Sequence, residues 1–351
     1  MTRGFVVERR FGRLPDGEEM LVYELCLANG NKATICELGA ALVGLTCPDR
    51  DGASEDIVLA CGDAPAQFAQ NAYFGAVIGR CAGRISEARI VRGNRELALR
   101  PNHGRHQMHG GPIGLSRLRW HARIRDGDWP SVRFEVESAD GDEGYPGNLR
   151  VAATWTLAPP CRLSVEIEAS CDAPTPFNPT IHPYFNLDGH ASGTLEHHRL
   201  SLAASRFTPI GTDLLPTGKI EAVDATPFDF RQSRPIGADP RPPLRGYDHN
   251  FVIDHADAAG SLAACLESVA SGRRLTLSTD RSCLHLYTGG SLDGIVGKDG
   301  AVYERHAGMC LEPQGFPDMY SHEDFPDDWL LPGTVFRSRC LYALDVSAAS
   351  R

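Results

Sequence analysis

Apolar and polar residues alternate with a period of two along much of this chain. Leu149, Val151, Ala153, Trp155 and Leu157 alternate with Arg150, Ala152, Thr154 and Thr156. Leu163, Val165, Ile167 and Ala169 alternate with Ser164, Glu166 and Glu168, and Val132, Phe134 and Val136 alternate with Arg133, Glu135 and Glu137. Leu275 and Leu277 repeat the pattern more briefly. Each run predicts a strand with one buried and one wet face. The breaks between runs carry turn chemistry: Asp126-Gly127-Asp128, Ala158-Pro159-Pro160, Asp188-Gly189 and Ser271-Gly272. Spread evenly, 36 Gly and 24 Pro punctuate many short elements.

Helical periodicity is sparse. The best stretch, 256–270, is rich in Ala, whose propensity favours helix. Ser271-Gly272 followed by Arg273-Arg274-Leu275 nevertheless reads as a hairpin turn, so a strand is expected there. The Pro-rich stretch 235–243 is the one linker-like segment; a long loop is the preferred reading over a domain boundary. No repeat of fixed period is evident. The pattern predicts an all-β protein built as a large antiparallel sandwich, one domain over 1–351, with a disordered-looking tail over 347–351.

Composition narrows the function classes. At 351 residues, with 42% hydrophobic and 23% charged residues, the chain can bury a substantial core. Its net charge is −10 and no basic stripe is present, which argues against nucleic-acid and anionic-membrane partners. No apolar run reaches the ~18 residues of a membrane span. The segment 1–20 is charged and lacks the apolar stretch of a secretory signal. Eleven cysteines without a Cys-x-x-Cys pair point to buried thiols in a reducing compartment, so a cytoplasmic location is expected.

Four constellations could carry chemistry. Asn102-His103-Gly104-Arg105-His106-Gln107-Met108-His109-Gly110-Gly111 places histidines at spacing three beside glycines that let a loop lie close to a ligand. His109 reads as a donor to a substrate oxygen, as a metal ligand, or as a polar loop residue of no consequence. Spacing three on a strand puts side chains on opposite faces, which weakens the metal reading. Asn71-Ala72-Tyr73-Phe74-Gly75 leads into Gly79-Arg80-Cys81-Ala82-Gly83-Arg84-Ile85. Of these two arginines, one is expected to brace structure and one to offer its fork of donors to a ligand. In Tyr247-Asp248-His249-Asn250-Phe251, Asp248 can accept hydrogen bonds from vicinal hydroxyls or can structure a turn. His182, in Ile181-His182-Pro183-Tyr184-Phe185, and Glu312, in Leu311-Glu312-Pro313-Gln314-Gly315, offer a proton donor and a proton acceptor. Taken singly, each reads more readily as a satisfied core histidine or a paired carboxylate than as a catalytic group. No Gly-x-Ser-x-Gly elbow supports nucleophilic serine chemistry.

Taken together, these segments resemble the aldose 1-epimerase (mutarotase) family. The matches begin at Phe11-Gly12-Arg13-Leu14-Pro15-Asp16-Gly17 and run through Asn71 to Ile85, His109-Gly110-Gly111 and Asp140 to Gly147. They continue at His182 to Leu187, Tyr247 to Phe251, Tyr287-Thr288-Gly289 and Leu311-Glu312. The resemblance implies a galactose mutarotase-like β-supersandwich with a sugar cleft, no metal and no cofactor. By position, Glu312 resembles the family's general base, His182 its general acid and His109 its second site histidine. Arg84, Asp248 and Asn71 resemble sugar-binding groups, and Arg281 falls near a site Gln or Glu of many members. Gly83, Met108 and Pro183 depart from commoner residues. The implied reaction is isomerisation: interconversion of the α and β anomers of a free aldose such as galactose or glucose. The implied partner is that sugar alone, with the protein a monomer or a homodimer. A sugar-binding module without turnover, or an epimerase for a phosphorylated hexose drawing on Arg281 and Arg105, are the alternatives. Ordinary values of about 4.3 for Glu and about 6.5 for His leave a narrow shared window. Activity near neutrality therefore predicts a carboxylate holding His182 protonated.

Overall fold

The structure is a computed structural model, and it describes residues 4–237, 246–255, 260–326 and 328–347. The strands Leu149–Ala158 and Arg162–Cys171 pair antiparallel from Leu149↔Cys171 to Ala158↔Arg162. Ser131–Ser138 adds to one side and Phe336–Val346 to the other. The predicted alternation holds: Val151, Ala153, Trp155, Leu163, Val165 and Ile167 are buried, while Arg150 and Glu166 face water. These strands belong to a nine-stranded sheet that continues through Arg273–Thr279 and Ser261–Ser268.

The Ala-rich stretch is a strand where it is described. Ser261–Ser268 pairs with Arg273–Thr279 through the predicted turn, where the Gly272 N–H donates to the Ser268 carbonyl at 3.0 Å. Ala263, Ala264 and Leu266 are buried in the main core; packing on a sheet outweighs the helix propensity of alanine. Residues 256–259 of that stretch lie outside the described residues. So do 238–243 of the Pro-rich segment, whose start pairs at the sheet edge as Arg199↔Pro235. Of the tail, 348–351 also lie outside them, and the Ser347 N–H donates to the Gly272 carbonyl.

A seven-stranded sheet places the chemistry. Its central order is Asp248–Val252, Cys283–Tyr287, Met309–Gln314 and Tyr184–Phe185, all antiparallel. Phe251, Leu284, Leu286 and Leu311 enter the same core cluster as Trp155, Leu163, Leu275 and Tyr342 of the larger sheet. Tyr23, Leu25 and Ile35, from a five-stranded N-terminal sheet, join them. Burying such a side chain contributes about 1.5–3 kcal/mol, and a slip of one residue would turn every one of them outward. The register is therefore held from the core side. The opposite face of the smaller sheet is left to carry His285, Glu312 and Asp248. The one α-helix among the described residues, Ala64–Ala69, is short and starts at Asp63, whose carboxylate accepts from the Ala66 N–H at 2.8 Å.

Candidate active site

A cleft of about 630 Å³ opens on that polar face, within the range of small-ligand sites. Neighbouring strands supply its floor: Asp248 from one, His285 and Tyr287 from the next, Glu312 and Gln314 from the third. His182 precedes Tyr184–Phe185, which pairs with the Glu312 strand as Tyr184↔Cys310. Register thus brings together residues 130 positions apart. The His182 Nε2 lies 3.5 Å from a Glu312 carboxylate oxygen, and both side chains are almost wholly buried, at 5% and 2% exposed.

Burial sets the protonation of this pair, and it does so against the expectation from sequence. Loss of solvent pushes the His182 imidazole down to about 4. The same loss, reinforced by the negative charge of Asp248, pushes Glu312 well above its ordinary value. Burial thus works against the cationic His182 beside a carboxylate that ordinary values suggest. It disfavours the charged form of both groups, pushing His182 toward the neutral imidazole and Glu312 toward the carboxylic acid.

Asp248 is the charged member of the site. His285 Nε2 contacts its Oδ1 at 2.7 Å, and Arg84 Nη2 stands 3.7 Å from Oδ2. Burial works to raise its carboxyl, but the His285 hydrogen bond and the Arg84 charge outweigh it and hold Asp248 well below the usual range. This geometry resolves the two arginines. Arg80 is buried and donates to the carbonyls of Ser138, Ala139, Pro146 and Gly147, so it braces loops. Arg84 lines the cleft. Asn71 lines it too, with its Oδ1 accepting from Arg117 at 2.6 Å.

His109 reaches the cleft from a loop whose backbone is shaped by glycine. The Gly83 N–H donates to His109 Nδ1 at 3.3 Å, and the His109 N–H donates to the Gly83 carbonyl at 2.9 Å. Nδ1 being an acceptor, the ring proton of neutral His109 is on Nε2. Burial, then the nearby His182 and Arg84, hold this imidazole well below its ordinary value. Gly110 has φ +85°, and a Cβ there would lie 1.8 Å from the Gly79 carbonyl oxygen. Gly110→Ala is expected to cost ~3 kcal/mol or more and to displace His109. Chemical denaturation checks the stability, and an unshifted midpoint would refute the close-approach argument.

Arg281 stands outside the cleft. Its Nη2 donates to Asp328 at 2.9 Å and to Asn178 Oδ1 at 3.0 Å, and its guanidinium lies over Phe336. Asn178 Oδ1 also accepts from the Gly315 N–H at 2.7 Å, just past the Glu312 strand. The expected substrate contact is thus replaced by a brace behind the site, because a carboxylate and an aromatic ring already hold the guanidinium. Arg281→Met is expected to lower stability by about 1–2 kcal/mol and to leave KM within about twofold; a large rise in KM would overturn this placement. Of the departures from the family pattern, Gly83 and Met108 line the cleft. Arg105 pairs with Glu87 at 2.8 Å and is not among the cleft-lining residues.

Sequence reasoning missed His285, which shows in the chain only as one polar residue between Leu284 and Leu286. Its partnership with Asp248 runs diagonally across the strands, since Asp248 pairs with Tyr287. Arg305, at the cleft wall, was also missed, and nothing in its local sequence marks it.

The polar atoms of His182, Cys310 and Glu312 lie within 4.8 Å of one another, all buried. Cys310 meets Nδ1 and Glu312 meets Nε2. Of these three, His182 and Glu312 line the cleft. A carboxyl and an imidazole facing a polar cleft, beside an ionised Asp and an Arg that offer an acceptor and donors, can exchange protons with two oxygens of a polyhydroxylated ligand.

Residues 22–343 match the aldose 1-epimerase family. The chain is 34% identical to the galactose mutarotase of Mus musculus over 339 residues, covering 96% of this chain and 98% of that protein. It is 35% identical to the Homo sapiens galactose mutarotase over 328 residues, with 93% and 94% covered. It is 32% identical to the aldose 1-epimerase of Escherichia coli (strain K12) over 335 residues, with 93% and 96% covered. Among solved structures, an aldose epimerase homologue from C. elegans superposes with a TM-score of 0.86 at 31% identity, over 93% of this chain and 98% of that one. Galactose 1-epimerase from Lactobacillus acidophilus NCFM gives 0.84 at 27% identity, over 98% and 99%.

Proposed function

This chain belongs to the aldose 1-epimerase family, and from that premise we propose how its cleft interconverts the α and β anomers of a free aldose such as galactose or glucose. The observation that carries the reading is the buried His182–Glu312 pair, 3.5 Å apart on the wall of the cleft and sharing one mobile proton. Glu312 is the general base and His182 the general acid. With the shared proton moved from Glu312 to His182 Nε2, Glu312 takes the proton of the anomeric hydroxyl while the His182 Nε2–H protonates the ring oxygen, and the bond from C1 to that oxygen breaks to give the aldehyde. Rotation about the first C–C bond presents the other carbonyl face. The reverse transfers then close the opposite anomer. His109 donates its Nε2–H near the ring oxygen. Asp248 accepts from sugar hydroxyls and Arg84 donates to them, while Asn71 contacts the sugar at the rim.

Ring opening moves this pair from carboxylate and imidazolium to carboxylic acid and imidazole. That is the direction burial favours for both groups. The proposal needs neither metal nor organic cofactor, and its one partner is the sugar. We further propose one domain over the whole chain and a reducing, cytoplasmic location, in keeping with eleven free cysteines. No helix among the described residues is long and apolar enough to cross a membrane.

Polarimetry on freshly dissolved α-galactose, α-glucose and a panel of other aldoses tests the activity. Decay of optical rotation faster than in buffer is expected for at least one. Saturable sugar binding with no acceleration on any would replace the enzyme with a binding module.

A further inference from the structure

We propose that Cys310 is a positioning residue for the acid: its sulfur accepts the Nδ1–H of His182 and keeps Nε2 as the nitrogen that gains and loses the proton. The inference rests on the acid role given to His182 above. Cys310 and Glu312 are two residues apart on one strand, so their side chains leave the same face about 6.6 Å apart along the chain. The His182 ring lies against both side chains, whose polar atoms come within 4.8 Å of each other. Cys310 Sγ is 3.3 Å from Nδ1, and a Glu312 oxygen is 3.5 Å from Nε2.

Two hydrogen-bond directions are open to a neutral imidazole in this row. In one, the thiol donates to Nδ1 and Nε2 carries the ring proton. In the other, Nδ1–H donates to sulfur and bare Nε2 faces the Glu312 carboxyl. The second direction leaves bare Nε2 3.5 Å from Glu312, and burial pushes that carboxyl toward its protonated form. The second direction also matches the state the acid reaches after giving its Nε2–H to the ring oxygen. With the first, an imidazole that gave up Nε2–H would have to draw a proton from the thiol and leave a buried thiolate. Burial and the adjacent Glu312 oppose that, pushing the Cys310 thiol well above its ordinary value. Sulfur is also uncharged. Unlike a carboxylate at Nδ1, it orients the ring without stabilising an imidazolium, which keeps His182 a ready proton donor.

The test is ¹⁵N NMR of the histidine-labelled full chain near pH 7, with His182 assigned by loss of its signals in His182→Gln. The expected result is Nδ1 protonated and Nε2 bare. An Nε2–H tautomer in the wild-type protein overturns the proposal, whether or not the protein accelerates anomer exchange. Absence of exchange with the Nδ1–H tautomer intact would instead overturn the proposed function. A second readout uses Cys310→Ala and Cys310→Ser. Loss of the acceptor in the Ala variant should lower kcat roughly 10- to 100-fold with KM within about twofold, and the Ser hydroxyl, still an acceptor, should recover most of it. Equal kcat for the wild-type, Ser and Ala proteins would contradict the proposal.

Discussion

Glu312→Gln is expected to lower kcat for anomer exchange by about 10²–10⁴-fold, the usual contribution of a positioned general base, and at the same time to raise the melting temperature at pH 7.5. The amide keeps the shape of the side chain and cannot take the anomeric proton. The gain in stability follows from the direction of the Glu312 shift. Its folded-state value lies well above the ordinary 4.5. In the unfolded chain Glu312 ionises as pH rises past that ordinary value, while in the folded protein it keeps its proton. Stability from this group is thus fully present below about pH 4.5 and is lost as pH rises toward the folded value, at ~1.4 kcal/mol per pH unit. Glutamine removes that loss. The variant should melt several degrees above the wild-type protein at pH 7.5 and near it at pH 4. Calorimetry at the two pH values reads this directly, and a variant less stable than wild type at pH 7.5 would mean that Glu312 is held ionised.

The second large effect is on the pH profile. The active pair carries one mobile proton, so activity fails when both groups are protonated and when neither is. His182 takes up the extra proton only as pH falls through about 4. Glu312 releases its proton only above its ordinary range. The acid limb of kcat/KM, which reports the free enzyme, is therefore expected near pH 4, with the alkaline limb belonging to the carboxyl rather than to the imidazole. Ordinary values would instead give a bell confined between about 4.3 and about 6.5. Infrared difference spectra of wild type against Glu312→Gln at pH 6 should show the carbonyl band of a protonated carboxylic acid. A carboxylate band there would contradict the assignment.

Much of the architecture was legible because the larger sheet has one wet face. Arg150, Thr154, Glu166 and Glu168 mark the outward positions so clearly that Trp155 and Val165 can be placed in the core from alternation alone. The smaller sheet was hard to read for the opposite reason. Every residue of Met309–Gln314 is buried, because its second face carries a site instead of solvent contacts. Glu312 therefore looks, in sequence, like an isolated charge in an apolar run. His182 and Glu312 became legible together only through the resemblance that assigns them roles.

Proton positions were not legible at all. Ordinary values suggested a protonated histidine beside a carboxylate, whereas desolvation pushes both groups toward their neutral forms. Arg281 shows the converse failure: position alone suggested a sugar contact, and Asp328, Asn178 and Phe336 hold it elsewhere.

The central claim is that Glu312 and His182 act as one unit on one sugar. Exchange spectroscopy between the two anomeric signals of galactose at equilibrium tests it most directly, applied to wild type, Glu312→Gln, His182→Gln and the double variant. Acid and base acting in one proton exchange should be non-additive: each single variant should fall close to the buffer rate, and the double variant should be no slower than either. Wild-type exchange retained by either single variant, or losses that multiply in the double variant, would contradict it.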